Sequence, residues 1–373
     1  MQGNDDTMST LFQPYSLGPV RISNRIVMAP MTRARNPDGI PNALNALYYS
    51  QRASAGLIVT EGTPISNTAE GFVFIPGLYT PEQVAGWRKV TEAVHARGGA
   101  IFTQLWHVGR VSHVSNQPGG IAPVSSTAQI ARGSQAWGIR ADGSAGAVDV
   151  SPPRALTTPE VKAVIQDFAR AAERAVEAGF DGVELHGANG YLIEQFLNPL
   201  VNDRTDEYGA DTIENRTRFL LEAVDAVIAR IGADRTAVRL SPYGGLFDMG
   251  LYEDVAQTYL HLADALSARG LAYVHLMDQL SRGSTPIPPD FLSSFRRQYR
   301  GTLVLAGGMT RERAERLIEE GLIDLAAFGE PFIANPDLVA RLRHFWPLKK
   351  ADRSHHFGGG AMGYTDYPAY EAA

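Results

Sequence analysis

The sequence predicts an α/β protein built as one (β/α)8 TIM barrel, with an N-terminal hairpin cap and a long excursion after the third strand. Three observations predict it. Short apolar runs bounded by Gly, Pro or polar residues alternate with helix-period segments about eight times. The runs are near-continuously apolar, as parallel strands buried on both faces should be. No Gly-x-Gly-x-x-Gly follows the first run, which counts against a doubly wound open sheet. The 373 residues are read as one domain, and 44% hydrophobic with 20% charged content suits a large core.

In order, Leu11–Asn24 reads as a capping hairpin around Gly18-Pro19, and Arg25–Pro30 as the first strand. The polar loop Met31–Arg35 follows, then a helix over Tyr48–Ala55 and a second strand, Gly56–Gly62. Pro81–Arg97 is an amphipathic helix with Pro at its start and Gly98-Gly99 behind it. Ala100–Trp106 is the third strand. The pattern then breaks: residues 107–155 are rich in Gly, Pro, Ser and Ala without sustained period, as an excursion over a site would be. Thr158-Pro159-Glu160 opens a long helix reaching Ala178, and the strand beginning at Gly182 follows. Helices over Ile213–Ile231, Ala256–Arg269, before Gly301 and over Arg311–Glu320 then alternate with strands. Those strands are Thr236–Pro242, Ala272–Leu276, Leu303–Gly308 and Leu325–Gly329.

Composition narrows the function. A net charge of −6 without a dense Lys/Arg run argues against nucleic acid, and no apolar segment is long enough to span a bilayer. The start, Met1–Thr7, lacks the pattern of a secretory signal, so cytoplasmic residence is the expectation. With Cys 0, disulfides, thiolate catalysis and cysteine-held metal are excluded.

In a barrel the chemistry belongs at the C-terminal strand ends. After the fourth strand, His186 and Asn189 lie three residues apart across a glycine turn, and Tyr191 opens the next helix. They offer hydrogen-bond donors without a nucleophile. Such a set suits an oxygen that becomes negative, with a phenol as proton source. They equally suit a strand–helix junction whose backbone they satisfy.

The other ends carry Pro30, Met31, Thr32, Gly62, Gln104, Trp106, Arg239, Gly307, Gly308 and Gly329. The late glycines stand where barrels bind phosphate. Arg239 offers a fork to a phosphate or an electron-rich ring, and Gln104 and Thr32 offer hydrogen bonds to a ring edge. Turn geometry, an interior polar plug and packing by Trp106 are the plainer alternatives. The joint pattern favours a planar phosphorylated cofactor. No strand end carries a Lys or a cluster with metal-ligand spacing, so no metal site is expected.

Asn24–Arg33, Gln104–Arg110, His186–Pro199, Asn202–Gly209, Phe332–Leu338 and Gly363–Pro368 resemble the Old Yellow Enzyme family, in order along nearly the whole chain. The resemblance implies non-covalent FMN and reduction by NADH or NADPH. Hydride would then pass to the β-carbon of a small-molecule activated alkene, with a proton arriving at the α-carbon. It implies a monomer or homodimer, and Thr32 suits the branch that lacks Cys at this position. It places FMN against Pro30, Met31, Thr32, Gly62, Gln104, His186, Asn189, Arg239, Gly307, Gly308 and Gly329. Substrate would meet Thr32, Phe72, Trp106, His186, Asn189, Tyr191 and Phe357, with Tyr191 as proton donor beside His186 and Asn189.

Three departures stand out. Phe328-Gly329-Glu330 replaces the usual Phe-Gly-Arg, whose Arg helps hold the phosphate. Glu330 is expected to turn outward, leaving backbone N–H groups and Arg239 for the phosphate. Phe72 and Phe357 stand where relatives often carry Tyr, and an Arg of the excursion has no match near Ala147. Nitroester, nitroaromatic or quinone reduction on the same scaffold, and a flavin-less ligand-binding barrel, are the rival functions.

Overall fold

The computed structural model describes residues 9–371. Met1–Thr7, read above for a secretory signal, lies outside them. Among the described residues eight parallel strands close a barrel, each hydrogen-bonded to its neighbours in chain order. They are β1 (Ile26–Met28), β2 (Leu57–Pro64), β3 (Ile101–Trp106), β4 (Gly182–Gly187), β5 (Thr236–Leu240), β6 (Tyr273–Met277), β7 (Leu303–Ala306) and β8 (Leu325–Phe328). β8 pairs with β1 to complete the ring. The helices outside are α1 (Ala43–Gln51), α2 (Pro81–His95), α3 (Thr158–Glu177), α4 (Leu192–Leu197), α5 (Ile213–Ile231), α6 (Val255–Arg269), α7 (Pro289–Gln298), α8 (Arg311–Glu319), α9 (Glu330–Ala334) and α10 (Leu338–His344).

Every barrel strand is buried along its length, and alternate residues divide between two cores. Ile26, Ile58, Leu105, Leu185, Val238, Val274 and Leu305 pack outward with the helices. Val27, Leu57, Phe102, Ala237, Tyr273, Val304 and Leu325 fill the interior together with Leu17 and Ile22. Those last two belong to the antiparallel hairpin Tyr15–Leu17/Val20–Ile22, which seats on the N-terminal end. Function is thereby confined to the other end.

Several helix starts follow from capping. Thr80 with Gln83 and Thr157 with Glu160 form capping boxes behind Pro81 and Pro159. α1 begins before the expected Tyr48, because Asn42 accepts from Leu44 N at 2.9 Å while Asn45 Oδ1 accepts from Asn42 N at 2.8 Å. An Asn-only box lacks the Ser/Thr-x-x-Glu signature.

Gly62 does not end its strand. β2 runs on to Pro64 past a register shift between Val59 and Gly62. A Cβ at Gly62 would stand 2.4 Å from Trp106 Cε3, so this glycine makes room for the indole. The excursion holds a hairpin, Gln135–Ile139 with Ala145–Asp149, and a short parallel pair, Val124–Ser125 with Arg154–Ala155. Its strands are too short and too Gly/Ala-rich to show a period. Among the described residues no helix is long and apolar enough to cross a membrane.

Candidate active site

The interior alternation places polar side chains as well as apolar ones. Gln104, Glu184, Arg239 and His275 lie between outward-packing residues on β3, β4, β5 and β6, so they point inward and are buried. Gln104 Nε2 donates to Glu184 Oε1 at 2.8 Å, and His275 Nδ1 lies 2.9 Å from Glu184 Oε2. Burial opposes the charge on Glu184, but His275, Arg239 and Gln104 together hold its pKa below the usual carboxylate value. Burial, then Arg239, lower the pKa of His275 against the pull of Glu184. The arrangement is therefore an ionised Glu184 with the Arg239 cation nearby, and a neutral His275 donating through Nδ1. The sequence does not mark Glu184 and His275 as functional, because both stand in near-continuously apolar runs. One amide function of Gln104 is committed to this network, leaving Oε1 for a ligand.

Above this plug sits the turn after β4. Ala188 N donates to His186 Nδ1 at 3.3 Å, so the proton of a neutral ring resides on Nε2. Burial first, then Arg239 and His275, push the His186 pKa well below 6.5, so the ring is neutral. Asn189 takes a left-handed φ of 60°. Its N–H donates to Ser241 Oγ at 2.8 Å, and its Oδ1 accepts from Gln279 Nε2 at 3.1 Å, which leaves Nδ2 as the donor for a ligand. Tyr191 stands just ahead of α4 rather than in it. Its ring centroid is 5.0 Å from His186 and 4.8 Å from Trp106, edge-on to both.

A buried acid supports the turn. Glu194 accepts from Gly190 N at 2.6 Å and from Ser241 Oγ at 2.8 Å, so Asn189, Ser241, Glu194 and Gly190 are linked. Burial raises Glu194 to about 7, against these hydrogen bonds. Gln195 ties the turn to the excursion: Nε2 donates to Gly190 O and Val108 O, while Oε1 accepts from Arg110 N and Ser125 Oγ. None of Ser241, Glu194, Gln195 or Gln279 was singled out in the sequence. Their polar character inside a helix start or strand end was the available signal.

The walls are aromatic. Phe72 lies 5.4 Å from Trp106, Phe247 lies 5.4 Å from Tyr191, and Phe357 lies 6.0 Å from Trp137 of the excursion hairpin. Phe247 and Trp137 are additions. Phe357 rides on a C-terminal loop clamped by buried arginines: Arg33 donates to the carbonyls of His355, His356 and Gly363, and Arg35 to those of Gly360 and Met362. Pro30, Met31 and the half-buried Thr32 sit on the loop after β1, which Glu61 holds by accepting from Arg33 N at 3.0 Å and Ala34 N at 3.1 Å.

At the ends of β7 and β8, the pairing of Ala306 with Ala327 sets Gly307-Gly308 beside Gly329. Gly307 has φ 108° and Gly308 φ 55°, and a Cβ on Gly307 would strike Asp278 O at 1.9 Å. Gly329 is under no such constraint, its nearest neighbour to a Cβ being Met31 Sδ at 3.7 Å. Glu330 points outward, its side chain 55% exposed and 3.8 Å from Arg353. Arg239 Nη2 lies 3.2 Å from Met277 Sδ at the C-terminal end of β6.

Matches to known proteins make this barrel an oxidoreductase of the flavin-dependent class. The model of the NADH:flavin oxidoreductase / NADH oxidase family matches residues 10–349. The chain is 43% identical to 12-oxophytodienoate reductase 1 of Oryza sativa subsp. japonica, over 97% of this chain and 93% of that one. It superposes on morphinone reductase in complex with tetrahydroNAD with a TM-score of 0.93, 46% identity and coverage of 97% and 98%. An Old Yellow Enzyme homologue from Zymomonas mobilis gives 0.91, 38%, 97% and 100%. The chain belongs to the Old Yellow Enzyme family, with FMN as cofactor and a reduced nicotinamide as electron source. The residues fit that cofactor: a glycine pair in left-handed backbone, a buried guanidinium and an uncommitted Gln104 acceptor share one mouth.

Proposed function

We propose that this flavin oxidoreductase reduces activated alkenes, namely α,β-unsaturated carbonyls or nitroalkenes, with NADH or NADPH. One observation carries the reading. His186 and Asn189 each have their acceptor atom engaged from behind, by Ala188 N and Gln279 Nε2, so both turn a donor toward a substrate oxygen. FMN, when bound, supplies the hydride chemistry between reduced nicotinamide and the alkene β-carbon. His186 Nε2 and Asn189 Nδ2 hold the carbonyl or nitro oxygen, and bind it more tightly as charge builds there. A neutral imidazole is suited to this, since it donates without placing a cation against the ring. Tyr191 delivers the proton to the α-carbon.

Trp106, Phe72, Phe357 and Thr32 form the substrate walls, and the two Phe residues keep them apolar. Pro30, Met31, Thr32, Gly62, Gln104, Arg239, Gly307, Gly308 and Gly329 hold FMN, with His186 and Asn189 reaching its edge. The described chain acts as one FMN-holding unit, with the excursion of residues 107–155 over the mouth. The relatives' names, 12-oxophytodienoate reductase and morphinone reductase, support reduction of a conjugated ketone.

Half-reactions measured separately test the roles. Tyr191→Phe slows reoxidation by cyclohexenone by roughly 10²–10⁴-fold, the range for a lost general acid, and spares flavin reduction by NADPH. Equal losses in both halves remove Tyr191 as the proton donor.

A further inference from the structure

By the family resemblance, Glu330 stands where an Arg would help hold the flavin phosphate, and it points away from the mouth toward Arg353. Both side chains are largely exposed, so the pair is a weak surface contact. Arg239 is placed for the flavin ring rather than the phosphate, its charge acting on Glu184, His186 and His275. A different guanidinium lies on the glycine ends. Arg313, on the first turn of α8, donates through Nη1 to Gly307 O, and that nitrogen would be 3.3 Å from a Cβ on Gly308.

We propose that Arg313 is the cation that holds the FMN phosphate in this chain, in place of the Arg missing at position 330. The proposal rests on the reading that the mouth binds FMN. Arg313 Nη2 is 3.1 Å from Asp278 Oδ2, and the Arg side chain is 23% exposed against 4% for Asp278. The fork is thus oriented by a buried acid beneath it and remains partly open above. These two bonds use two of the five guanidinium N–H groups. The rest can meet phosphate oxygens two at a time. Gly307 and Gly308, in left-handed backbone, carry no side chain, so the phosphate can approach both the loop and the guanidinium. Because β7 and β8 are paired at Ala306 and Ala327, a phosphate between their ends is reachable from α8 as well as from position 330. The charge has moved from one helix to the next around the same spot.

The test compares FMN with riboflavin, which lacks the phosphate. Flavin-free full-length protein is titrated with each by fluorescence quenching, for the parent, Arg313→Gln, Glu330→Arg and the double variant. Arg313→Gln weakens FMN binding by roughly 10–100-fold, the range for a lost charged hydrogen bond, and leaves riboflavin binding unchanged. Unchanged riboflavin binding also shows that the variant is folded. Glu330→Arg restores FMN affinity in the Arg313→Gln background. Losses equal for the two flavins, or no loss for FMN, overturn the proposal. A parent protein that binds neither flavin overturns the underlying reading of the mouth instead.

Discussion

After β4, His186 and Asn189 keep their side chains and are fixed from behind by Ala188 N, Gln279 and the Ser241–Glu194 network. After β7, the backbone carries no side chain, and Gly307 takes φ 108° where a Cβ would strike Asp278 O. One end of the mouth is shaped by donors held in place, the other by backbone left bare with a charge beside it. The difference teaches what each end tolerates. Substitution after β4 should damage chemistry more than folding, and substitution at Gly307 should damage folding first.

Among substitutions that compare these two ends, the largest effect is expected at the donors. His186→Ala or Asn189→Ala should lower the alkene half-reaction by roughly 10²–10³-fold, as for a lost oxyanion donor, and weaken binding of phenols, which mimic the charged oxygen. Phenol titrations monitored in the flavin band measure this, and unchanged affinity in both variants would remove the comparison. Next, Gly307→Ala should destabilise the protein by about 1–3 kcal/mol from backbone strain alone, with the carbonyl clash adding to it. Thermal unfolding checks it.

Glu194 offers a pH readout. Its folded pKa is raised from 4.5 to about 7, so between those values the folded state holds more proton than the unfolded state. Stability then falls as pH rises through that window, and the loss is complete above about 7. Glu194→Gln should remove this contribution, seen as a flatter difference curve between pH 4.5 and 7 in denaturant melts. A variant that tracks the parent across the window would mean the carboxyl titrates normally. The smallest effect belongs to Gly329→Ala, where nothing stands closer than Met31 Sδ at 3.7 Å. Stability should be unchanged, and any loss should be confined to flavin affinity.

Much of this was legible beforehand for one reason. Parallel strands buried on both faces read as short apolar runs, and Gly, Pro or a polar residue marks each end. The same rule hid the interior plug: Glu184 and His275 sit at every second position between apolar neighbours, where a continuous run and a period of two look alike. Gly62 reads as a strand end because a glycine that admits an indole and one that stops a strand are the same letter. The sequence does not mark Arg313, because it is inside a helix beyond the strand end. The excursion hairpin needed Trp137 and its contacts to be recognised, since its sequence carries no period.

The most direct measurement is the visible spectrum of the flavin-loaded protein under anaerobic conditions. The yellow band should bleach with NADH or NADPH and return when cyclohexenone is added, with the saturated ketone as product. A band that bleaches and stays bleached with cyclohexenone, yet returns with a quinone or a nitroester, would contradict alkene reduction as the task of His186, Asn189 and Tyr191.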